Sequence, residues 1–168
     1  MFLHERDLRS EKFAFDALRL DDPVVKECDL IHEFDGLKVP EGIFRDPVDN
    51  DRNISVEVKR IIGIDLPTCG GGRRKILRRV NRNERIIWPW TSSVHLAISK
   101  LHPRIAQVYN VHSHHVVFII PVSLTDSVKR RTIQHIKRVT TSFLQSYTPV
   151  RRTRLHIVEG MDELFDRY

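Results

Sequence analysis

Cysteine is almost absent from this chain, with two residues, Cys28 and Cys69, among 168. Two thiols supply neither a disulfide framework nor the four ligands of a structural zinc site, and a reduced, cytoplasmic setting is the expectation. Long apolar runs are missing too. The longest, 116–122, is far too short to cross a bilayer. The first residues, with Glu5, Arg6, Asp7 and Arg9 among them, have no apolar stretch of the kind a signal peptide needs. A soluble protein with no membrane partner is expected. Glycines number seven, three of them consecutive at Gly70, Gly71 and Gly72. That triplet lacks the Gly-Lys-Ser/Thr ending of a phosphate-cradling P-loop. No internal repeat and no low-complexity tract is visible.

Charge is plentiful and unevenly placed. The chain has 28 Lys and Arg against 22 Asp and Glu, a formal net charge of +6. Residues 1–60 carry a net −5 and residues 61–168 a net +11, so the basic half suits a polyanion. The densest stretch contains Arg73, Arg74, Lys75, Arg78, Arg79, Arg82 and Arg85 against a single acid, Glu84. Two short strands around Asn81, Arg82 and Asn83 would make it a basic β-arm at about 69–90, hinged by the glycines. Such arms bind phosphates through charge and counterion release without reading bases. A solvated loop is the plainer alternative.

Between the two halves lies a stretch with acid–lysine chemistry. Ile54, Val56 and Val58 alternate with Ser55, Glu57 and Lys59, the period of a strand with one apolar and one polar face. Glu57 and Lys59 then point the same way. The preceding Asp49, Asn50, Asp51, Arg52 and Asn53 have turn chemistry. Folded about the middle of that turn, a hairpin sets Asp46 opposite Glu57. Directly opposed residues have Cβ atoms roughly 5 Å apart, close enough for two carboxylates to share a hard divalent cation. Acid-x-Lys on a wet strand face is also an ordinary surface ion cluster, which contributes little.

Asp46-Pro47 followed by Glu57-Val58-Lys59 resembles the PD-(D/E)xK nuclease superfamily, although here Asp precedes Pro where the motif usually has Pro-Asp. That order leaves Asp49 and Asp51 open as alternatives to Asp46. The resemblance implies that Asp46 and Glu57 bind Mg²⁺ or Mn²⁺ together with the Val58 carbonyl, and that Lys59 orients or activates the attacking water. It also implies an acid on a helix before the hairpin, for which Glu27 is the candidate and Glu11 the fallback. Phosphodiester hydrolysis needs a hydroxide-like nucleophile and compensation of charge on phosphate oxygens, and a carboxylate-held metal supplies both.

The remaining elements are read in order. A helix is expected over 10–20, on Phe13, Ala14, Ala17 and Leu18, and a second over 23–34, with Val24, Cys28, Ile31 and Phe34 as its apolar stripe. A short strand should fall within 36–44. Val94, Ile98, Leu101, Ile105 and Val108 predict one core-facing helix bent at Pro103. The apolar run ending in Val122 predicts a strand buried on both faces. His112 and His114 at its entrance share a face, so a His-x-His metal pair of the HUH nuclease kind is a minor rival, with Tyr109 or Tyr147 as nucleophile. A long amphipathic helix from Thr125 to Tyr147 and a last strand at 155–158 close the chain.

This order predicts an α/β fold in one domain, 1–168: a restriction-endonuclease-like αβββαβ core, a mixed sheet flanked by helices, and a C-terminal helix–strand extension. The function expected is a Mg²⁺-dependent nuclease acting on nucleic acid, DNA ahead of RNA, with a homodimer as an open arrangement. The alternatives are a non-catalytic nucleic-acid-binding module using the basic arm and the C-terminal basic helix, and a scaffold for an acidic protein partner.

Overall fold

The computed structural model describes residues 2–60, 90–147, 150 and 152–165. A five-stranded mixed sheet, in the spatial order β1-β2-β3-β4-β5, carries helices on both faces. In chain order the elements are α1 (Phe2–Ala17), β1 (Val25–Lys26), α2 (Glu27–Glu33), β2 (Gly42–Arg45), β3 (Asn53–Arg60), α3 (Trp90–Ile98), α4 (Pro103–Val108), β4 (Val111–Pro121), α5 (Asp126–Leu144), β5 (Arg152–Gly160) and a 3-10 turn (Asp162–Phe165). β1, β2 and β3 are antiparallel neighbours, whereas β4 and β5 join parallel to β3. Parallel strands need covering on both faces, and β3 and β4 are buried along nearly their whole length.

One face of the sheet takes α1, where Phe15 meets Phe44 edge-on at 4.6 Å. The other takes α3 and α5, which hold each other through a His95–Phe143 stack at 4.2 Å. Val116, Val117, Phe118, Ile119 and Ile120 lie between the two layers. A second cluster, of Leu30, Phe34, Ile43, Leu101 and Ile105, forms where α2 and α4 meet β2.

Several sequence expectations shift here. The first helix begins before Ser10 and stops at Ala17, where Arg19 takes φ 57°. Residues 25–26 are a strand, so the second helix starts only at Glu27. Its buried face is Leu30 and Phe34, while Val24, Cys28 and Ile31 are exposed. The bend expected at Pro103 is a full break: His102 caps α4 by accepting the Arg104 N–H, and Pro103 occupies the first turn. Proline fits there because that N–H has no helical acceptor. The polar face expected for β3 is not wet. Ser55 and Glu57 are as buried as Val56. The basic arm falls outside the described residues. Among the described residues no helix is long and apolar enough to cross a membrane.

The end of β5 is tightly packed against the 3-10 turn. A Cβ on Gly160 would stand 2.5 Å from Ile119 Cγ2 and 2.9 Å from Leu164 Cδ1. Gly160→Ala should therefore destabilise the protein by about 1–3 kcal/mol, measured by urea denaturation; an unchanged midpoint would show that this corner can open freely.

Candidate active site

The pairing of the first three strands builds the site. Val25 pairs with Ile43 and Lys26 with Gly42, while Gly42 pairs with Val56 and Ile43 with Ser55. Both ladders stop there, and Glu27, Glu41 and Glu57 are the next residues of three adjacent chain segments, where their charges act on one another. β1 ends where α2 begins and β2 begins only at Gly42, so beyond this row the outer edge of β3 has no described strand partner. The backbone of Val58 and the half-buried Lys59 lie on that open stretch. Alternation along β3 places Lys59 on the same face as Glu57.

Asp46, expected opposite Glu57, is not there. The loop from Asp46 to Arg52 closes with Asp46 N–H donating to the Arg52 carbonyl at 2.9 Å, and Asn53 already pairs with Arg45. Asp46 Oδ1 accepts the Val48 N–H at 2.8 Å, and Asp49 Oδ1 accepts the Asp51 N–H at 3.2 Å. Pro47 has no N–H for a strand ladder. The turn is thus centred on Asp49, and the residue facing Glu57 is Glu41. Asp46 Oδ2 instead meets His112 Nε2 at 3.0 Å. Asp49 pairs with Arg52 at 3.2 Å, so neither turn acid reaches Glu57.

Glu57 is 3% exposed, and its Oε2 has no hydrogen-bond partner among the described residues. Burial pushes its carboxyl up to about 8, with Glu27 adding repulsion; Lys100, then Lys59 and the Glu41 backbone oppose the rise. Glu41 is pushed up to about 9, by burial first and then by Glu57, Glu11 and Glu27, with a side-chain hydrogen bond to Glu11 adding to the rise. Glu11, Glu27 and Glu41 line one cleft of about 1250 Å³. Four carboxyls thus feel one another, and Lys59 and Lys100 offset only part of their charge.

An acidic, oxygen-only donor set suits a hard cation such as Mg²⁺ or Mn²⁺, and the orphaned Glu57 Oε2 is the atom such an ion would satisfy. As they stand, no three His, Cys, Asp or Glu side chains among the described residues are close enough together to hold a metal. Glu41 and Glu57 are the two carboxyls that burial raises most, with Glu27 and Glu11 as their charged neighbours.

The histidines do not form a pair. His114 is fully buried, its Nδ1 accepting from Ser55 Oγ at 2.7 Å and its Nε2 donating to the Ala97 carbonyl at 3.2 Å. Burial pushes its pKa down to about 4. Both ring nitrogens are used in tying α3 to the sheet, whereas His112 faces Asp46. Tyr147 Oη donates to the Leu101 carbonyl and Tyr109 bonds Glu33.

Glu41 and Lys100 were missed by the sequence reading. Pro40-Glu41 has the motif's proline-then-acid order, the one signal that could have found the first. No local pattern marks Lys100, which comes from the α3–α4 connection. Arg73, Arg74, Lys75, Arg78, Arg79, Arg82 and Arg85, expected from the sequence to grip phosphates, lie outside the described residues. No family model, curated protein or solved structure matches this chain.

Both raised carboxyls hold protons in the folded chain at pH values where an unfolded chain has lost them. A raised folded pKa leaves folding unpenalised below about 4.5, and stability is lost progressively from there until pH has passed about 8 and 9. Metal-free protein should weaken from about pH 5 to about pH 9 and level off above that in urea melts, and Glu41→Gln should flatten the slope. A wild-type slope indistinguishable from that of Glu41→Gln would show that the Glu41 carboxyl is not raised in the folded chain.

Proposed function

We propose that the chain is a metal-dependent nuclease of the PD-(D/E)xK type, hydrolysing phosphodiester bonds with Glu41, Glu57 and Lys59 as its central residues. The observation that carries this is that Glu27, Glu41 and Glu57 follow the last paired residues of adjacent chain segments, with Lys59 on the same face of β3 as Glu57 and a buried, unpartnered Glu57 oxygen at the inner end. Pro40-Glu41 then takes the place first given to Asp46-Pro47. Three antiparallel strands followed by helices and a parallel fourth strand agree with a restriction-endonuclease-like αβββαβ core. In that comparison α1 is the leading helix, α2 an insertion, and α5 and β5 the extension.

In this scheme a bound Mg²⁺ would act as Lewis acid toward the phosphate and lower the pKa of a bound water. Glu41 and Glu57 would hold it by giving up the protons that burial and mutual repulsion now keep on them, so metal binding should release protons. Lys59 offers an ammonium beside Glu57 that can orient the attacking water or bind a phosphate oxygen. Glu27 is the acid best placed to hold a second water at the row's end. The net +11 of residues 61–168 supplies attraction to the nucleic-acid backbone, and duplex DNA is the first substrate to try.

Incubation with labelled DNA or RNA should give cutting that requires Mg²⁺ or Mn²⁺ and stops with EDTA. Glu57→Gln and Glu41→Gln should each lower the rate by about 10²-fold or more, and Lys59→Ala by about 10²–10⁴-fold. Asp46→Asn should cut nearly as well as wild type. If Asp46→Asn is dead and Glu41→Gln active, the assignment of Glu41 fails; binding without any cutting would leave a nucleic-acid-binding module.

A further inference from the structure

A second, chemically distinct site lies toward the leading end of β3. At the leading ends of the three parallel strands, a cavity of about 960 Å³ opens beneath the end of α1. Val56, His115 and Arg154 are neighbours across β3, β4 and β5, and alternation puts them on the face away from Glu57 and His114. Arg152 and His156 follow on the same face of β5. Leu18, Leu20 and Ile54 provide an apolar wall. The volume is that of a small-molecule pocket, and polar and charged side chains share its lining with the apolar wall.

The charges in this cavity are unbalanced. Its two acids are already engaged, Asp46 with His112 at 3.0 Å and Asp49 with Arg52 at 3.2 Å. From α4 the wall receives only uncharged residues such as Ala106 and Gln107. Arg152 and Arg154 are exposed and have no carboxylate partner among the described residues. Beside them His115 and His156 stack at 5.0 Å with rings 11° from parallel, and His115 Nδ1 lies 2.9 Å from His156 Nε2. Only one proton can occupy that contact, so the outer nitrogens of the pair, His115 Nε2 and His156 Nδ1, take no part in it.

We propose that this cavity binds a phosphate group, with Arg154 and Arg152 as its cationic clamp and the His115–His156 pair as its hydrogen-bonding wall. The ligand is a phosphate ester whose flat or apolar remainder rests on Leu18, Leu20 and Ile54. Either a free mononucleotide or the phosphorylated end of a nucleic acid presents that chemistry. The site does not depend on the carboxylate row, none of whose acids lines this cavity.

Proton linkage gives the site a signature. Burial, then the neighbouring His156 and Arg154, push His115 down to about 4, and Asp46 opposes this weakly. Burial and Arg154 also lower His156. A dianion in the cavity offsets that repulsion, so binding should raise the titration midpoints of both rings and couple to proton uptake.

The test uses the full chain and follows the imidazole resonances of His115 and His156 by NMR. Inorganic phosphate should shift both rings and raise their titration midpoints. Arg154→Gln, at an exposed position, should weaken binding about tenfold or more, and Glu57→Gln should leave it unchanged. Titration with a mononucleotide and with 5′-phosphorylated and 5′-hydroxyl oligonucleotides identifies the source. Preference for the phosphorylated oligonucleotide assigns a nucleic-acid end, and tighter binding of the mononucleotide assigns a free ligand. If phosphate leaves both rings unmoved, or if Arg154→Gln binds as well as wild type, the proposal is overturned.

Discussion

The turn between β2 and β3 decides which acid meets Glu57, and through that choice it decides the character of the whole edge of the sheet. Asp46 and Asp49 each turn a carboxylate oxygen back onto a nearby amide, which fixes the loop in one shape. Pro47 keeps the ladder from running further. Side chains alternate with period two, and a hairpin register fixes every cross-strand pair at once. With the turn centred on Asp49, Glu41 faces Glu57; the short β1 then brings Glu27 alongside. The acids are scattered in sequence, at the start of one helix, before one strand and inside another. Backbone pairing alone lines them up.

That arrangement conflicts with the usual behaviour of a core. Carboxyls are seldom fully buried without a partner, yet Glu57 lies beneath the surface with one oxygen unpaired, and its nearest acids are repulsive neighbours. The fold tolerates this because β3 is held from both sides by pairing with β2 and β4 and by the packing of Val56 and Val58. Residues that break the rules of burial within an otherwise consistent structure are expected at functional sites.

The sheet also separates two chemistries. On the α3 side, His114 is a structural group whose two nitrogens link Ser55 to the backbone of α3. One residue further on, His115 turns to the α1 side and joins His156 in a cationic cavity. The same histidine-rich stretch thus supplies a buried strut on one face and a polar wall on the other.

The sequence by itself determined what its local patterns encode: an α/β chain, the alternation through Glu57 and Lys59, the doubly buried strand after His115, the amphipathic α5, and the separation of acidic from basic charge. These follow from spacing along one segment, which needs no knowledge of any neighbour. The phase of α2 was harder, because Val24, Cys28 and Ile31 satisfy a helical stripe as well as Leu30 and Phe34 do, and only the neighbours of α2 choose between them. The partner of Glu57 was decided by tertiary structure alone. Asp46 and Glu41 both precede a plausible turn, and the two registers differ in which backbone groups pair across the strands, a choice made by turn hydrogen bonds and by the burial of Ile43 and Phe44 against opposite faces. Lys100 and the His115–His156 pair were likewise invisible, since residues far apart in sequence meet only after the sheet has formed.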